Sequence, residues 1–168
     1  MKTVFSSSQL GHAPKMEIAD GQLTEAVEIP QRAEIVRDEI LRRKIGPIWT
    51  PQDFGRAPLE RVHTPEYLTF METFWSRWTA AGRDRDAFAY VWPVRQLRAT
   101  PAPDSIDGLL GRFSFDTGTP LTANTWEAAT ASANTALTAA RFLREGDRAA
   151  FALCRPPGHH AAADYFGG

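Results

Sequence analysis

Two adjacent imidazoles, His159 and His160, are the side chains of this sequence best suited to chemistry near neutral pH. A histidine titrates in that range when unperturbed, so it can take up and return a proton at little cost. Neighbouring side chains in an extended segment point to opposite sides, which makes the pair a poor chelate for one metal ion. Two separate roles in proton transfer fit better. Loop histidines more commonly do no more than make surface or hydrogen-bonding contacts, so the case rests on the segment that presents these two. His12 falls in a loop and is expected to be solvated. His63 stands just ahead of a helix start, where a structural hydrogen bond is expected.

The elements that must position the pair come directly before it. Ala149-Ala-Phe-Ala-Leu-Cys154 is apolar on both alternating faces, as in a strand of a sheet covered on each side. Cys154, the single cysteine, is expected to be a small core residue, and its being alone argues against a disulfide framework. Pro156 and Pro157 can neither donate to a ladder nor continue a helix, so the strand ends near Arg155 and the lead-in is stiff. Gly158 then permits a sharp reversal. Ligands of open α/β sheets gather at the carboxyl ends of strands, where this turn would lie. Ahead of the strand, residues 124–145 read as a helix: Asn124 as cap, Glu127 completing a capping box, Gly146 closing the end. Its expected packing face is Trp126, Ala129, Ala133, Ala136, Ala140 and Leu143. Helix, short turn and buried strand make half of a βαβ unit.

The string Cys154-Arg-Pro-Pro-Gly-His-His-Ala161, followed by Phe166-Gly167-Gly168, resembles the signature of the histone deacetylase superfamily, and more narrowly the bacterial acetylpolyamine amidohydrolases. Glu28-Ile-Pro-Gln-Arg-Ala-Glu34, Val62-His-Thr-Pro-Glu-Tyr-Leu68 and Ile106-Asp-Gly-Leu-Leu-Gly111 support the likeness, which extends over nearly the whole chain. The resemblance implies an α/β domain of the arginase/deacetylase type, a central parallel sheet flanked by helices, of which residues 1–168 are the N-terminal part and therefore incomplete. It implies a zinc-dependent amide hydrolase that releases acetate from acetylated polyamines or related small amines. The alternatives are a deacetylase acting on acetyl-lysine in proteins, or a truncated chain with no catalysis of its own. By the same resemblance, His159 and His160 are the general acid–base pair, one moving protons and the other assisting electrostatically. Gly168 matches the glycine whose carbonyl holds the substrate amide N–H. Asp107 matches an acidic residue that would meet a substrate ammonium, with Asp104 and Asp116 as weaker candidates. The family's Asp-x-His motif, second Asp and tyrosine lie beyond Gly168, so no zinc ligand is assigned in this chain.

Elsewhere, Thr3-Val-Phe5 reads as a first or edge strand and residues 6–21 as loop. A helix from Pro30 carries Ala33, Val36, Ile40 and Leu41 at helical spacing and stops at Gly46-Pro47. Residues 50–58 read as loop. Thr64 caps the next helix, with Pro65 at its first position and Leu68, Met71, Trp75 and Trp78 on one face, a core or subunit-packing stripe. Residues 82–120, with Trp92-Pro93, Pro101, Pro103, Gly108, Gly111, Gly118 and Pro120, read as one irregular inserted loop. In acetylpolyamine amidohydrolases a loop of this kind pairs two subunits, so the resemblance implies a homodimer, with Trp92, Phe113 and Phe115 supplying apolar area.

Composition narrows the rest. A chain of 168 residues can bury a sizeable core, and 19 Lys+Arg against 20 Asp+Glu give a formal charge of −1. That balance gives no electrostatic footprint for nucleic acid or an anionic membrane. No apolar run approaches the roughly 18 residues of a membrane span, and no signal-peptide core opens the sequence, so a cytoplasmic protein is expected. Without a Gly-x-Ser-x-Gly elbow, a serine esterase is disfavoured.

Overall fold

The structure, a computed structural model, describes residues 1–93 and 103–168. Pro101, one of the residues expected to break up the inserted loop, lies outside them. In chain order the elements are β1 (Lys2–Val4), a 3-10 turn (Ser7–Gly11), β2 (Met16–Ala19), β3 (Gln22–Glu25), α1 (Gln31–Arg42), β4 (Ile48–Trp49), α2 (Ala57–Glu60), α3 (Pro65–Ala80), α4 (Ile106–Arg112), α5 (Thr125–Arg144) and β5 (Ala150–Ala152). They fall into two compact units. The first holds Met1–Ala13, Glu28–Gly55 and Asn124–Pro157; the second holds Pro14–Val27, Arg56–Ala123 and Gly158–Gly168. Among the described residues no helix is long and apolar enough to cross a membrane.

The first unit is a parallel sheet of order β4-β1-β5. β1 is thus the middle strand of the three and not an edge, paired through Thr3↔Ile48 on one side and Thr3↔Phe151 on the other. Alternation along the strands sorts side chains onto two faces. Val4, Ala150 and Ala152 pack against Ala139 and Phe142 of α5. Phe5, Phe151 and Leu153 pack with Ala33 of α1, Leu10 and Ile48. The unbroken apolar run at β5 therefore has the meaning expected of it, since both faces of the sheet are covered. Cys154 departs from expectation. It is exposed, its thiol donating to the Ser132 carbonyl at 3.5 Å, because the strand ends at Ala152 and the chain is already leaving the sheet.

α5 is the element whose packing differs most from its apolar pattern. Its buried face is Thr125, Ala128, Ala131, Thr135, Thr138, Ala139 and Phe142, while Ala136, Ala140 and Leu143 of the expected face are exposed. The threonines are buried because each meets a polar partner, which removes the penalty of desolvating a hydroxyl. Thr135 Oγ1 accepts from Gln9 Nε2 at 3.0 Å, and Thr138 Oγ1 accepts from the Gln52 N–H at 2.9 Å. Asn124 stands at the cap position without making a side-chain cap bond; its Nδ2 donates to the Gly11 carbonyl instead. The expected capping box is therefore absent. Gly146 closes the helix at φ 106°, as its position predicts. In α1 only Ala33 and Ile40 of the expected stripe are buried; Val36 and Leu41 are exposed.

Two buried charged or titratable groups tie this unit together. The Arg155 guanidinium, 3% exposed as a residue, donates from Nε and Nη2 to both oxygens of Glu28, at 3.2 and 2.8 Å, and from Nη1 to the Gln9 carbonyl at 2.5 Å. Its backbone N–H reaches Gln9 Oε1 at 2.5 Å. His12, expected in solvent, is instead 5% exposed, its Nδ1 2.9 Å from Thr125 Oγ1. The residues around it form the 3-10 turn Ser7–Gly11, capped by the Ser6 hydroxyl, rather than an open loop.

In the second unit, β2 and β3 form an antiparallel hairpin turned at Asp20-Gly21, both at positive φ. Thr64 caps α3 by accepting from the Tyr67 N–H, with Pro65 at the first helical position. Leu68, Met71 and Trp78 are buried as expected and Trp75 is half-buried. Tyr67, Phe70 and Phe74 join them, and Phe70 and Phe113 bring their ring centroids to 4.8 Å. The stretch expected to lack structure contains α4, capped by the Ser105 hydroxyl on the Gly108 N–H. A glycine at 111 is required there because a Cβ would lie 1.5 Å from the Val91 carbonyl oxygen.

Burial, and then the positive charge of Arg155, lower the His12 pKa from 6.5 to about 4. The folded state thus holds the ring neutral while the unfolded chain binds a proton below pH 6.5, so stability falls as pH drops from 6.5 towards 4. Urea unfolding of the wild type at pH 7.5 and pH 4.5 should differ by a few kcal/mol, and His12→Gln should flatten that difference.

Candidate active site

The imidazole pair lies in Gly158–Gly168 of the second unit. This segment has little regular structure, so its shape is set by individual hydrogen bonds. The Phe115 N–H donates to the Phe166 carbonyl at 2.8 Å, and the Phe166 N–H to the Phe113 carbonyl at 2.8 Å, a short parallel bridge. The His160 N–H donates to the Gly167 carbonyl at 3.2 Å, closing the loop on itself. On its other side the Ala163 carbonyl accepts the Thr64 N–H, and the Ala162 carbonyl lies 3.0 Å from His63 Nδ1. His63 thus has the structural hydrogen bond expected of it at the start of α3.

Both site imidazoles are exposed, and their ring centroids stand 4.1 Å apart, edge to face. Phe115 packs on His160 at 4.9 Å and stacks with Tyr165 at 5.9 Å. Phe113, by contrast, is 5% exposed within the α3 core, so it offers no area to a partner; Phe115 and Trp92 remain exposed.

Two glycines let the backbone lie against the rings. A Cβ on Gly167 would come within 2.6 Å of the Phe115 Cβ and 3.1 Å of the His160 Cβ. A Cβ on Gly168 would stand 2.8 Å from His159 Nδ1, and Gly168 adopts φ 93°, which L side chains rarely take. Nothing in the spacing of the sequence marks these contacts.

A carboxylate also faces the pair. Asp116 Oδ2 lies 3.7 Å from His160 Nδ1, beyond hydrogen-bond length but within ion-pair range. Its other oxygen, Oδ1, accepts from the Thr119 hydroxyl at 2.9 Å, and its backbone carbonyl accepts from the buried Ser114 hydroxyl at 2.5 Å. Thr119 in turn accepts the Gly168 N–H at 3.0 Å. The sequence alone makes Asp116 no more than a weaker candidate for a substrate cation, and it does not mark Thr119. Sequence order offers no signal for either, since both sit in a turn at least forty residues before the histidines.

Asp107, at the first turn of α4, is bound at both oxygens by the Arg83 guanidinium, the Nη2–Oδ2 distance being 2.6 Å. Hydrogen bonding from Arg83 holds the Asp107 carboxyl below the usual carboxylate range. Arg83 also lies 4.3 Å over the Trp78 ring. The carboxylate is therefore already neutralised by a neighbour, whereas the sequence left it open.

Among the described residues no group of three or more His, Cys, Asp or Glu side chains converges as a metal site. A catalytic zinc normally takes three protein ligands, so the residues present do not make up its ligand set. The chemistry available here is that of two imidazoles, a carboxylate and backbone groups.

The chain belongs to the histone deacetylase domain family, whose model matches residues 25–168. Acetylpolyamine amidohydrolase 2 of Pseudomonas aeruginosa is 46% identical over 168 residues, covering 100% of this chain and 48% of that protein. The acetylpolyamine amidohydrolase of Mycoplana ramosa is 38% identical over 169 residues, covering 100% of this chain and 49% of that protein. The crystal structure of acetylpolyamine aminohydrolase from Burkholderia pseudomallei matches with a TM-score of 0.90 at 35% identity, over 100% of this chain and 48% of that one. The fold is thus the expected α/β type, a parallel sheet with flanking helices, covering about half of that structure. Likewise, the chain spans about half the length of the curated relatives it matches.

Gly167→Ala should push Phe115 and His160 apart, since neither contact is with a flexible side-chain end. The expected outcome is loss of the His160 ring-current shifts in NMR spectra, with a stability loss of about 1–3 kcal/mol, as for overpacking elsewhere.

Proposed function

We propose that this chain forms part of a zinc-dependent amidohydrolase that releases acetate from acetylated polyamines or similar small cationic amines. The single observation that carries the reading is the exposed, edge-to-face imidazole pair at 4.1 Å, held by a loop whose glycines leave its backbone open beside the rings. Names of the relatives supply the substrate class; the pair supplies the chemistry. Amide hydrolysis requires one proton taken from the attacking water and one given to the leaving amine, and an imidazole is matched to both near neutral pH.

In this reading one of His159 and His160 moves the protons and the other supports it electrostatically. The Gly168 carbonyl accepts the substrate amide N–H. Asp107 is the acidic group for a distal ammonium, which would share the carboxylate with Arg83. Zinc would be bound by residues this chain does not contain, and when bound it would polarise the acetyl carbonyl and activate the water. Exposed Trp92 and Phe115 are the proposed apolar area of a homodimer through residues 82–120. A cytoplasmic location goes with the same reading.

Acetate release from an acetylated polyamine, measured on the full-length protein, tests this directly. His159→Ala and His160→Ala should each lower turnover at least about a hundredfold. Near-normal turnover in the double variant overturns the assignment. Asp107→Asn should raise KM for the cationic substrate while leaving an uncharged acetylated amine of equal length unaffected, as read from parallel Michaelis curves.

A further inference from the structure

We infer that Thr119 is a positioning residue that sets the direction of the Gly168 backbone for the substrate amide; this rests on the proposed function above. The hydroxyl oxygen of Thr119 accepts the Gly168 N–H at 3.0 Å. A hydroxyl has one proton, and here it goes to Asp116 Oδ1 at 2.9 Å. A carboxylate can only accept, so the polarity of the relay is fixed: Gly168 donates to Thr119, and Thr119 donates to Asp116. Bonding to an ionised acceptor strengthens the arrangement.

Gly168 is held from two sides. Thr119 takes its N–H, and the His159 ring lies against its α-carbon, where a Cβ would stand 2.8 Å from Nδ1. The same peptide is held at its other edge, because the Gly167 carbonyl, in one plane with the Gly168 N–H, accepts the His160 N–H. Asp116 is anchored by the buried Ser114 hydroxyl on its own carbonyl. The turn 114–119 therefore acts as a template: Ser114 fixes Asp116, Asp116 aims the Thr119 hydroxyl, and Thr119 holds Gly168. The second oxygen of Asp116, Oδ2, lies 3.7 Å from His160 Nδ1, so the same carboxylate faces that ring.

The specific consequence concerns substrates that carry an amide N–H. A Gly168 carbonyl turned away would lose its bond to that N–H, whereas an acetate ester of the same aminoalkyl chain has no such proton to offer. Thr119→Val, close in shape but without the hydroxyl, should lower kcat for the acetylated amine about tenfold and change ester hydrolysis by less than about twofold. Thr119→Ser, which keeps the hydroxyl, should restore the amide rate. If valine disturbs the turn, as seen by circular dichroism, Thr119→Ala gives the same amide-to-ester ratio. Equal losses on amide and ester would mean that Thr119 only supports the local structure, and an unchanged amide rate would mean that it does nothing for the reaction; either overturns the inference. Should His159→Ala and His160→Ala retain turnover, the proposed function itself fails, a result distinct from both.

Discussion

The first unit depends on the burial of one guanidinium. Moving an ion of that size out of water costs several kcal/mol even after relaxation, and the cost is met only when hydrogen bonds replace its hydration. Arg155 obtains them from Glu28 on two nitrogens and from the Gln9 carbonyl on a third. Those partners come from the entrance to α1 and from the turn after β1, while Gln9 itself reaches across to Thr135 of α5. One side chain thus requires segments separated by more than a hundred residues to meet in a single geometry. Burial, and after it the Arg155 charge, keep the nearby His12 ring neutral.

This dependence explains why some of the fold could be read from the chain and some could not. β5, its parallel pairing and the turn that ends it follow from an apolar run stopped by two prolines. The α3 helix follows from Thr64, Pro65 and the spacing of Leu68, Met71 and Trp78. Both depend on local chemistry. The buried face of α5 does not, because Thr125, Thr135 and Thr138 look polar until Gln9, His12 and Gln52 are brought to them. An apolar-periodicity reading chose Ala136, Ala140 and Leu143, which face solvent. His12 follows the same rule: a histidine in a polar stretch looks solvated unless its distant partner, Thr125, is brought to it.

The site divides along the same line. His159 and His160 are neighbours in the sequence, so their association was evident before any geometry, whereas the packing of Gly167 and Gly168 against their rings is not marked by spacing. Asp116 and Thr119 reach them through a bridge between Ser114 and Phe166, and no residue pattern announces that pairing. Asp107 illustrates the opposite case. The chain marked it as an available acid, and the fold supplies Arg83, brought to the start of α4 from beyond the end of α3.

Cys154 has a practical side. It is the single sulfhydryl of the sequence, it is solvent-accessible, and it sits directly beside the buried Arg155 at the mouth of the strand. A thiol-directed fluorophore or spin label would therefore attach at one known point, without competing sites. Placed next to the residue on which the first unit depends, such a probe would report the release of that ion pair as the unit opens, and so separate its unfolding from that of the rest of the molecule.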